Sequence, residues 1–439
     1  MKNIYNTIKT FSLAMAILTV TSCTFDEVIS PNGPSVAGVL SNASKGQLNE
    51  LVVGIESTLR SGIAIETTAS GTMARELYLF DADPRNTGDL LGKNGIGLDN
   101  NSFYSTAQWA GSYRCIKNAN TLIEAASNTD AVTAAEANGY IGFAKTVIAY
   151  ELIQIVKSYG QARVDVSDPS NLGPLVDGAT ALAAARALLD QANGDLSGAG
   201  GSFAFSLSSG FDGFDSPSSF AQFNRGVAGM AAVYAGDGTA ALSALAGSHL
   251  NLGGDLNVGP KHIFGLGGGD QANGLFKVNG ENGDQIIVHN SWINDAEPGD
   301  SRVTEKTNVR PDPQPQDGLN GTNETNLYDS NTSPIDILRN EELILLFAEA
   351  SILAGSPSGT TVNALNVIRN SANLPNYTGA TTPAALTSEM LRQRRYSLWA
   401  ENHRLYDTRR YGLSGSLPID RPGDQIFTTL PVPLAENDI

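Results

Sequence analysis

The most chemically distinctive segment of this 439-residue chain is MLRQRRYSLWAENHRLYDTRRYG, from Met390 to Gly412. The chain as a whole is acidic, with 45 Asp and Glu residues against 28 Lys and Arg residues and a formal net charge of −17. Guanidinium groups can bind an anionic ligand, or they can hold helices together through bidentate pairs with carboxylates. The segment alone leaves both roles open. Its arginines are Arg392, Arg394, Arg395, Arg404, Arg409 and Arg410.

Other residue patterns that could support catalysis or metal binding do not form a recognisable motif. The four histidines lack the close helical spacing of zinc ligands, and no G-x-S-x-G nucleophile motif occurs. The stretch GLGGGDQANG has Asp270 at the last glycine position of a dinucleotide-binding motif. Carboxylate pairs that hydrolyse glycosides meet in space, so the sequence leaves that class open. We predict no enzyme activity, no metal site and no cofactor.

The acidic composition limits the partners. A pI near 4.6 argues against nucleic acid, because phosphate backbones are bound by clustered positive charge. The same charge disfavours electrostatic docking on an anionic membrane surface. With 41% hydrophobic and 17% charged residues, the composition is typical of a globular protein with an ample core.

The N-terminus has the pattern of a secretion signal. MKNIYNTIKTFSLAMAILTVTSC carries Lys2 and Lys9 before an apolar run that is too short to span a bilayer. The small residues before Cys23 resemble a bacterial lipobox, in which the signal is cut before a cysteine that is then lipidated. An ordinary signal with an incidental cysteine is the alternative. We predict a signal peptide over 1–22, then a lipidated Cys23 and tether over 23–45.

Helical periodicity dominates the rest of the chain. GYIGFAKTVIAYELIQIVKSYG and NEELILLFAEASILAG repeat apolar residues with a period near 3.6 and end at Gly160 and Gly355. Ala-rich helix pairs separated by Gly-rich turns resemble tetratricopeptide packing. Cys115 lies on an apolar helical stripe, which predicts a buried, unreactive thiol.

Two polar regions interrupt the helical pattern. Residues 80–101 form the first, and residues 253–333, rich in Gly, Asn, Asp and Pro, form the second. Such long irregular regions within a compact domain are commonly functional. Within the second region, DQIIVHNSWI predicts a short strand.

The C-terminal third contains RNEELILLFAEASILAG, ALNVIRNSANLP, LTSEMLRQRRYSLWAENHRLYDTRRYG and LPVPLAENDI in this order. That order, with WAGSYRCIKNANTLIEAA and AKTVIAYELIQIVKSYG earlier, resembles the SusD/RagB family of outer-membrane nutrient-binding lipoproteins of the Bacteroidetes. Two positions depart from the family pattern: Gln393 stands where a Glu-Arg-Arg motif begins, and Asn402 stands where Gly usually follows Glu401. These departures indicate a divergent branch.

The resemblance implies a mainly α, SusD-like fold with tetratricopeptide-type helix pairs and few short strands. It implies one domain over 46–439, with loop-rich ligand-binding insertions at about 80–105 and 253–333. It also implies a lipid-anchored, surface-exposed outer-membrane protein that delivers a nutrient to a SusC-like TonB-dependent transporter. In that context the arginines of 390–412 are interpreted as scaffold. Their expected acidic partners are Glu341, Glu342, Glu349, Glu389, Glu401 and Asp407.

A glycan ligand requires aromatic rings against sugar C–H faces, with carboxylates, amides and arginines for the hydroxyls. Both polar regions supply such residues, whereas Trp109 and Trp399 lie in helical patterns and are predicted to be core. The predicted ligand-binding residues are Tyr78, Phe80, Asp81, Arg85, Tyr104, Trp292, Asn294, Asp295 and Tyr328.

Glycan capture is the preferred hypothesis, and several alternatives stay open. The same role with peptides or another small nutrient as cargo fits the RagB branch equally well. A secreted hydrolase would require a carboxylate pair placed for acid and base catalysis in a cleft. A tetratricopeptide-type interaction protein without a small ligand would expose a groove that lacks aromatic residues.

Overall fold

The computed structural model describes residues 36–168, 170–355 and 359–438, and its architecture is mainly α with few short strands, as predicted. The predicted signal peptide over 1–22 and the lipidation site Cys23 lie outside the described residues. The helices are α1 Val36–Asn42, α2 Lys45–Leu59, α3 Ile63–Met73, α4 Phe103–Ser127, α5 Ala134–Tyr159, α6 Gly178–Ser197, α7 Pro217–Tyr234, α8 Gly238–Ala246, α9 Asn290–Asn294, α10 Arg302–Lys306, α11 Asn340–Leu353, α12 Gly359–Ser371, α13 Pro383–Ser397 and α14 Arg404–Arg410. The strands are β1 Leu77–Phe80, β2 Gln161–Arg163, β3 Leu175–Asp177, β4 Lys261–His262, β5 Gln285–Val288, β6 Thr307–Gln316, β7 Leu319–Thr325 and β8 Ile335–Asp336.

Successive helices pack against one another from α4 to α8. Helix α8 then contacts α11, which also packs against α12 and α13, so the two helical groups form one continuous array. This arrangement confirms the predicted helix pairs. Trp109 and Trp399 are buried as predicted. Cys115 is a buried free cysteine, and burial raises the pKa of its thiol, in agreement with the predicted unreactive side chain.

Helix α5 is a core helix. Thr133 and Glu136 form a capping box at its N-terminus, and Gly160, with a φ of 74°, ends it. Among the described residues it is the one helix apolar and long enough to cross a membrane, but 83% of its most apolar window is buried within the fold. Gly142 permits close approach of α6, because a Cβ there would lie 2.7 Å from Leu196 Cγ.

The longer strands form an antiparallel sheet in the order β1-β5-β7-β6. Leu77 pairs with Val288 and Phe80 pairs with Gln285, so the sheet joins segments that are far apart in the chain. The strand predicted within DQIIVHNSWI is confirmed as β5, and α9 begins two residues after it.

Part of the predicted tether is folded. Val39 on α1 packs against the main hydrophobic cluster, and Ala43 is fully buried in it. Ser44 caps α2 through reciprocal hydrogen bonds with Gln47. The tether predicted over 23–45 therefore does not hold for residues 36–45, where two apolar contacts are too few to produce visible periodicity.

Three arginines of the 390–412 segment hold helices together. Arg394 Nε donates to Asp407 Oδ2 at 2.7 Å, which joins α13 to α14. Arg410 Nη2 donates to Asp407 Oδ1 at 2.8 Å and to Glu349 Oε2 at 2.8 Å, which joins α14 to α11. Arg409 donates to backbone carbonyls at the end of α5. The scaffold interpretation is confirmed for these three arginines.

We expect Asp407→Ala to lower the free energy of unfolding by about 3–5 kcal/mol, because the buried guanidinium of Arg394 would lose its carboxylate. Burial alone would raise the pKa of Asp407, but Arg394 and Arg410 hold it below its ordinary value, so the carboxylate is charged at neutral pH.

The measurement is chemical denaturation at pH 7, with Asp190→Ala as the control. Asp190 pairs with Arg225 at 2.7 Å, but its side chain is 73% exposed, so its loss should cost less than about 1 kcal/mol. Equal effects of the two substitutions would contradict the scaffold role of Asp407.

Candidate functional site

Four of the five aromatic residues predicted to bind ligand are buried. Tyr78 and Phe80 lie on β1 at 3% and 0% exposure, and their ring centroids are 5.4 Å apart. Tyr104 on α4 is fully buried. Trp292 is fully buried too, and its Nε1 donates to a backbone carbonyl of α13 at 3.1 Å. Since no ring face is open to a sugar, the structure corrects the prediction for these four residues and assigns them a packing role.

The polar candidates after β1 form a local network. Asp81 accepts hydrogen bonds from Asn86 Nδ2 at 2.9 and 3.0 Å and from the backbone nitrogen of Asp83 at 2.9 Å. Arg85 Nε donates to Asp83 Oδ1 at 2.9 Å, and its guanidinium lies 4.7 Å from the centre of the Phe103 ring. The Asp81 carboxylate is thus committed to its own turn, whereas Arg85 is exposed to solvent.

The candidates from the second polar region lie in different places. Asn294 and Asp295 are exposed at the end of α9. Asp295 Oδ2 accepts a hydrogen bond from Arg395 at 2.9 Å. The Asp295 side chain also lines a separate pocket beside α13. Of the nine predicted residues, only Tyr328 lines the cleft described next.

A surface cleft of about 550 Å³ lies between the segment around β8, helix α10 and the start of α11. Small-molecule sites commonly measure about 300–1,000 Å³, so this volume suits a ligand of that class. Most of the side chains that line the cleft can donate or accept hydrogen bonds. They include Asn257, Glu305, Lys306, Tyr328, Asp329, Asp336, Arg339, Glu341 and Glu401.

Arg339 organises three carboxylates of the cleft. Its Nη1 donates to Glu401 Oε2 at 2.5 Å, and its Nη2 donates to Glu341 Oε2 at 2.6 Å. Asp336 Oδ2 lies 3.5 Å from Nη1. Burial alone would lower the pKa of Arg339, but these carboxylates outweigh burial and raise it. The cleft therefore contains acceptor groups that are fixed in position by one permanently charged side chain.

Tyr328 combines a fixed ring with a free hydroxyl. Its ring packs against the cluster that contains Trp292 and Trp399, which holds the side chain in place. Within the described part of the chain its hydroxyl has no hydrogen-bond partner. Burial, together with the charges of Glu401 and Asp336, raises the pKa of the phenol, so the hydroxyl stays neutral and can donate to a ligand.

Sequence reasoning found two of the acidic residues of the cleft, Glu341 and Glu401, but not their role. Glu341 and Glu401 were expected to pair with the arginines of 390–412, whereas both pair with Arg339. Lys306 belongs to no motif, and Arg339 is the first residue of the segment RNEELILLFAEASILAG, which does not indicate a cleft. Only tertiary packing brings both side chains to Tyr328. For Arg339 there is one signal in the sequence. This arginine directly precedes a helix with acidic residues in its first turn, which its guanidinium can reach.

Residues 290–429 match the model of the SusD family. In overall fold the chain is similar to a SusD superfamily protein from Bacteroides vulgatus, at 15% identity and a TM-score of 0.64, covering 90% of this chain and 97% of that one. It is also similar to surface glycan-binding protein A from Bacteroides thetaiotaomicron in complex with laminarihexaose, at 13% identity and a TM-score of 0.67, with 90% and 97% covered.

The chain has a SusD-like fold. Surface glycan-binding protein A from Bacteroides uniformis agrees, at 16% identity and a TM-score of 0.65, with 90% of this chain and 98% of that one covered. The resemblance to the SusD/RagB family inferred from the C-terminal motifs is thus confirmed. No curated protein sequence gives a match.

The SusD-like chain also contains an internal cavity of about 60 Å³, which shares Asp336, Arg339 and Glu401 with the wall of the cleft. A water molecule needs about 10–15 Å³ by this measure, so the cavity has room for roughly four waters but not for a sugar. Within residues 36–168, 170–355 and 359–438, no group of three or more His, Cys, Asp or Glu side chains is placed to hold a metal ion.

Four glutamates line the internal cavity, and three of them have a raised pKa. Burial raises the pKa of Glu66 and Glu342 to about 7 and that of Glu151 to about 8. Glu66 Oε1 accepts hydrogen bonds from Ser158 Oγ at 2.6 Å and from Asn402 Nδ2 at 2.5 Å, which only partly offset the effect of burial. Between about pH 5 and 7 the folded chain therefore binds more protons at these sites than the unfolded chain, and stability contributed by them falls as pH rises.

We expect Glu66→Gln to flatten the pH dependence of stability between about pH 5 and 7. Glutamine keeps an acceptor for Ser158 and Asn402 but cannot lose a proton, so it removes a slope of up to about 1.4 kcal/mol per pH unit. Urea denaturation at half-unit pH steps measures the change, and Glu50→Gln, at an exposed position on α2, is the control. An unchanged slope in Glu66→Gln would contradict the assignment.

Proposed function

We propose that this chain is a cell-surface binding protein that captures a glycan, an oligosaccharide in particular, in the cleft around Tyr328. The observation that carries the proposal is the combination of a SusD-like fold with a cleft of about 550 Å³ lined by fixed polar groups and one tyrosine. The relative in complex with laminarihexaose supports glycan as the cargo.

The chemistry of the cleft suits sugar hydroxyls. Each hydroxyl donates one hydrogen bond and accepts others, and the cleft offers carboxylate acceptors on Glu401 and Asp336 beside a phenol donor on Tyr328. The exposed Asn257 adds a donor, and so does Lys306, whose Nζ also donates to the Ser397 carbonyl at 2.5 Å. The Tyr328 ring supplies the apolar surface that a sugar C–H face requires.

Binding without catalysis is supported by where the carboxyls with a pKa near 7 or 8 lie. Glu66, Glu151 and Glu342 line the internal cavity, and Glu76 lines neither that cavity nor the cleft. A glycosidase needs a protonated acid beside an ionised carboxylate at the scissile bond. The carboxyls with a pKa near 7 or 8 that surround Glu66 lie in the 60 Å³ cavity, which is too small for a sugar. In the cleft, Arg339 lowers the pKa of Glu341 below its ordinary value despite burial, so Glu341 is not a proton donor at neutral pH.

Location and partner follow from the family context and the N-terminus. We expect Cys23 to carry lipid that anchors the chain to the outer membrane with its folded domain exposed at the cell surface. A SusC-like TonB-dependent transporter would then receive the ligand. Capture followed by release into a transporter requires modest affinity and no chemical step.

We expect Cys23→Ser to move the chain from the membrane fraction to the soluble fraction of its native host, because the acceptor of the lipid is lost. Fractionation with immunoblotting measures the shift. Cys115→Ser is the matched control, since Cys115 is buried in the core and should leave membrane association unchanged. Retention of Cys23→Ser in the membrane would contradict lipid anchoring at this residue.

Calorimetric titration of the purified full chain tests the cargo, with β-glucan, α-glucan, mannan and xylan oligosaccharides, a peptide pool and product analysis of every mixture. Binding of a glycan without degradation is the expected result. Binding of peptides alone would replace the glycan with a peptide cargo, and product formation would overturn the binding-only function.

We expect Tyr328→Ala to weaken binding of the identified glycan roughly threefold to tenfold, because the ring contact is lost. Tyr377→Ala is the control: Tyr377 is a half-buried tyrosine whose hydroxyl donates to Ala380 O, and it does not line the cleft. Equal affinity of the wild type and Tyr328→Ala, with both folded by circular dichroism, would place the glycan elsewhere.

A further inference from the structure

A second pocket, of about 410 Å³, lies between the end of α9, helix α13 and the start of α14. Arg392, Arg395 and Arg404 line it, and we call it the arginine pocket. Its other polar side chains are Asp295, Ser388 and Tyr396, whose hydroxyl donates to the Trp292 carbonyl at 3.0 Å. Three arginines against one carboxylate make the lining positive, in a chain whose formal net charge is −17.

The arginines of this pocket keep guanidinium N–H groups that form no hydrogen bond within the described fold. In the described part of the chain, the side chains of Arg392 and Arg404 form no hydrogen bond and no ion pair, and Arg392 is exposed. Arg395 donates from Nη1 to Asp295 Oδ2 at 2.9 Å and from Nη2 to Ser291 Oγ at 3.0 Å. Its Nε is buried without a hydrogen-bond partner. Unsatisfied guanidinium N–H groups in a concave surface favour an oxyanion ligand.

Among the residues that the structure describes, no carboxylate fully balances these charges. Burial, and then the nearby positive charge of Arg395, lower the pKa of Arg404. A charged Glu76 would stabilise the charged form of Arg404 more than any other carboxylate. Burial raises the pKa of Glu76 to about 8, however, so Glu76 is mainly protonated at neutral pH. Asp295 already forms an ion pair with Arg395, and its side chain is 57% exposed to solvent. An incoming anion would relieve the repulsion between Arg395 and Arg404.

The remaining lining sets the size and character of the ligand. Leu391 and the partly exposed Leu413 form an apolar wall, and Ser388 and Asp295 can bond to hydroxyl groups. The volume of about 410 Å³ is within the range of small-molecule sites. We propose that the arginine pocket binds the oxyanion of a small polar ligand, such as the carboxylate of an acidic sugar or a phosphate group.

This second site is independent of glycan capture in the cleft, because the two pockets share no lining residue. A ligand with both a neutral and an acidic sugar could use both sites, but neither proposal requires the other. Binding at the arginine pocket should weaken as salt is added, since the exposed guanidinium of Arg392 supplies part of the attraction.

Calorimetric titration of the purified full chain with glucuronate, glucose and inorganic phosphate, at low and high sodium chloride, tests the proposal. We expect glucuronate to bind and glucose not to bind at the same concentration. Arg392→Gln and Arg404→Gln should each weaken glucuronate binding roughly tenfold, because each removes a charge-assisted contact. Arg114→Gln is the matched control, since Arg114 is an exposed arginine of α4 outside the pocket.

The outcomes separate the sources of the oxyanion and the two sites. Phosphate binding as tight as glucuronate binding, lost in Arg392→Gln, supports an oxyanion site that does not read the sugar. Preference for glucuronate supports an acidic-sugar site. Glucuronate binding that is unchanged in Arg392→Gln and Arg404→Gln but lost in Tyr328→Ala would assign the anion to the cleft and overturn the proposal, as would failure of both anions to bind.

Discussion

The C-terminal half of the molecule depends on guanidinium groups that are held by carboxylates away from water. Arg394 has a fully buried side chain, and Asp407 is 4% exposed. Each charge alone would be costly to bury, so each depends on the other and on the hydrogen bonds between them. Arg339 repeats the arrangement with Glu341 and Glu401 at the start of α11. The same interaction therefore fixes the helices and sets the acceptor groups of the cleft.

The sequence predicts the helices well, but it predicts poorly which residues line the cleft. Helix α5 and strand β5 could be predicted because apolar periodicity and β-branched residues are local properties. Tyr78 and Phe80 could not be placed correctly, since the strand that pairs with them, β5, comes from a distant part of the chain. A polar loop next to an aromatic residue indicates exposure in sequence, but only tertiary pairing decides which rings are covered.

The arginine segment shows why one pattern supported two interpretations. Arg394 and Arg395 are neighbours on α13, and consecutive helical residues point about 100° apart. One therefore faces Asp407 in the interior, while the other faces Asp295 and the pocket. Scaffold and ligand-binding roles are both compatible with the sequence, and helix geometry assigns them to different members of the same run.

The pairing of β1 with β5 has a consequence for folding. Contacts between residues distant in sequence form late, because the cost of closing the intervening loop precedes the gain. The pairing of Leu77 with Val288 requires two distant segments of the chain to meet. The hydrogen bond from Trp399 Nε1 to the backbone carbonyl of Glu76, at 3.1 Å, has the same requirement. The helices from α4 to α8 follow one another in the sequence, so they can pack before these distant partners meet. The cleft, whose wall includes both Asn257 and Glu401, likewise forms only after segments far apart in the chain have come together.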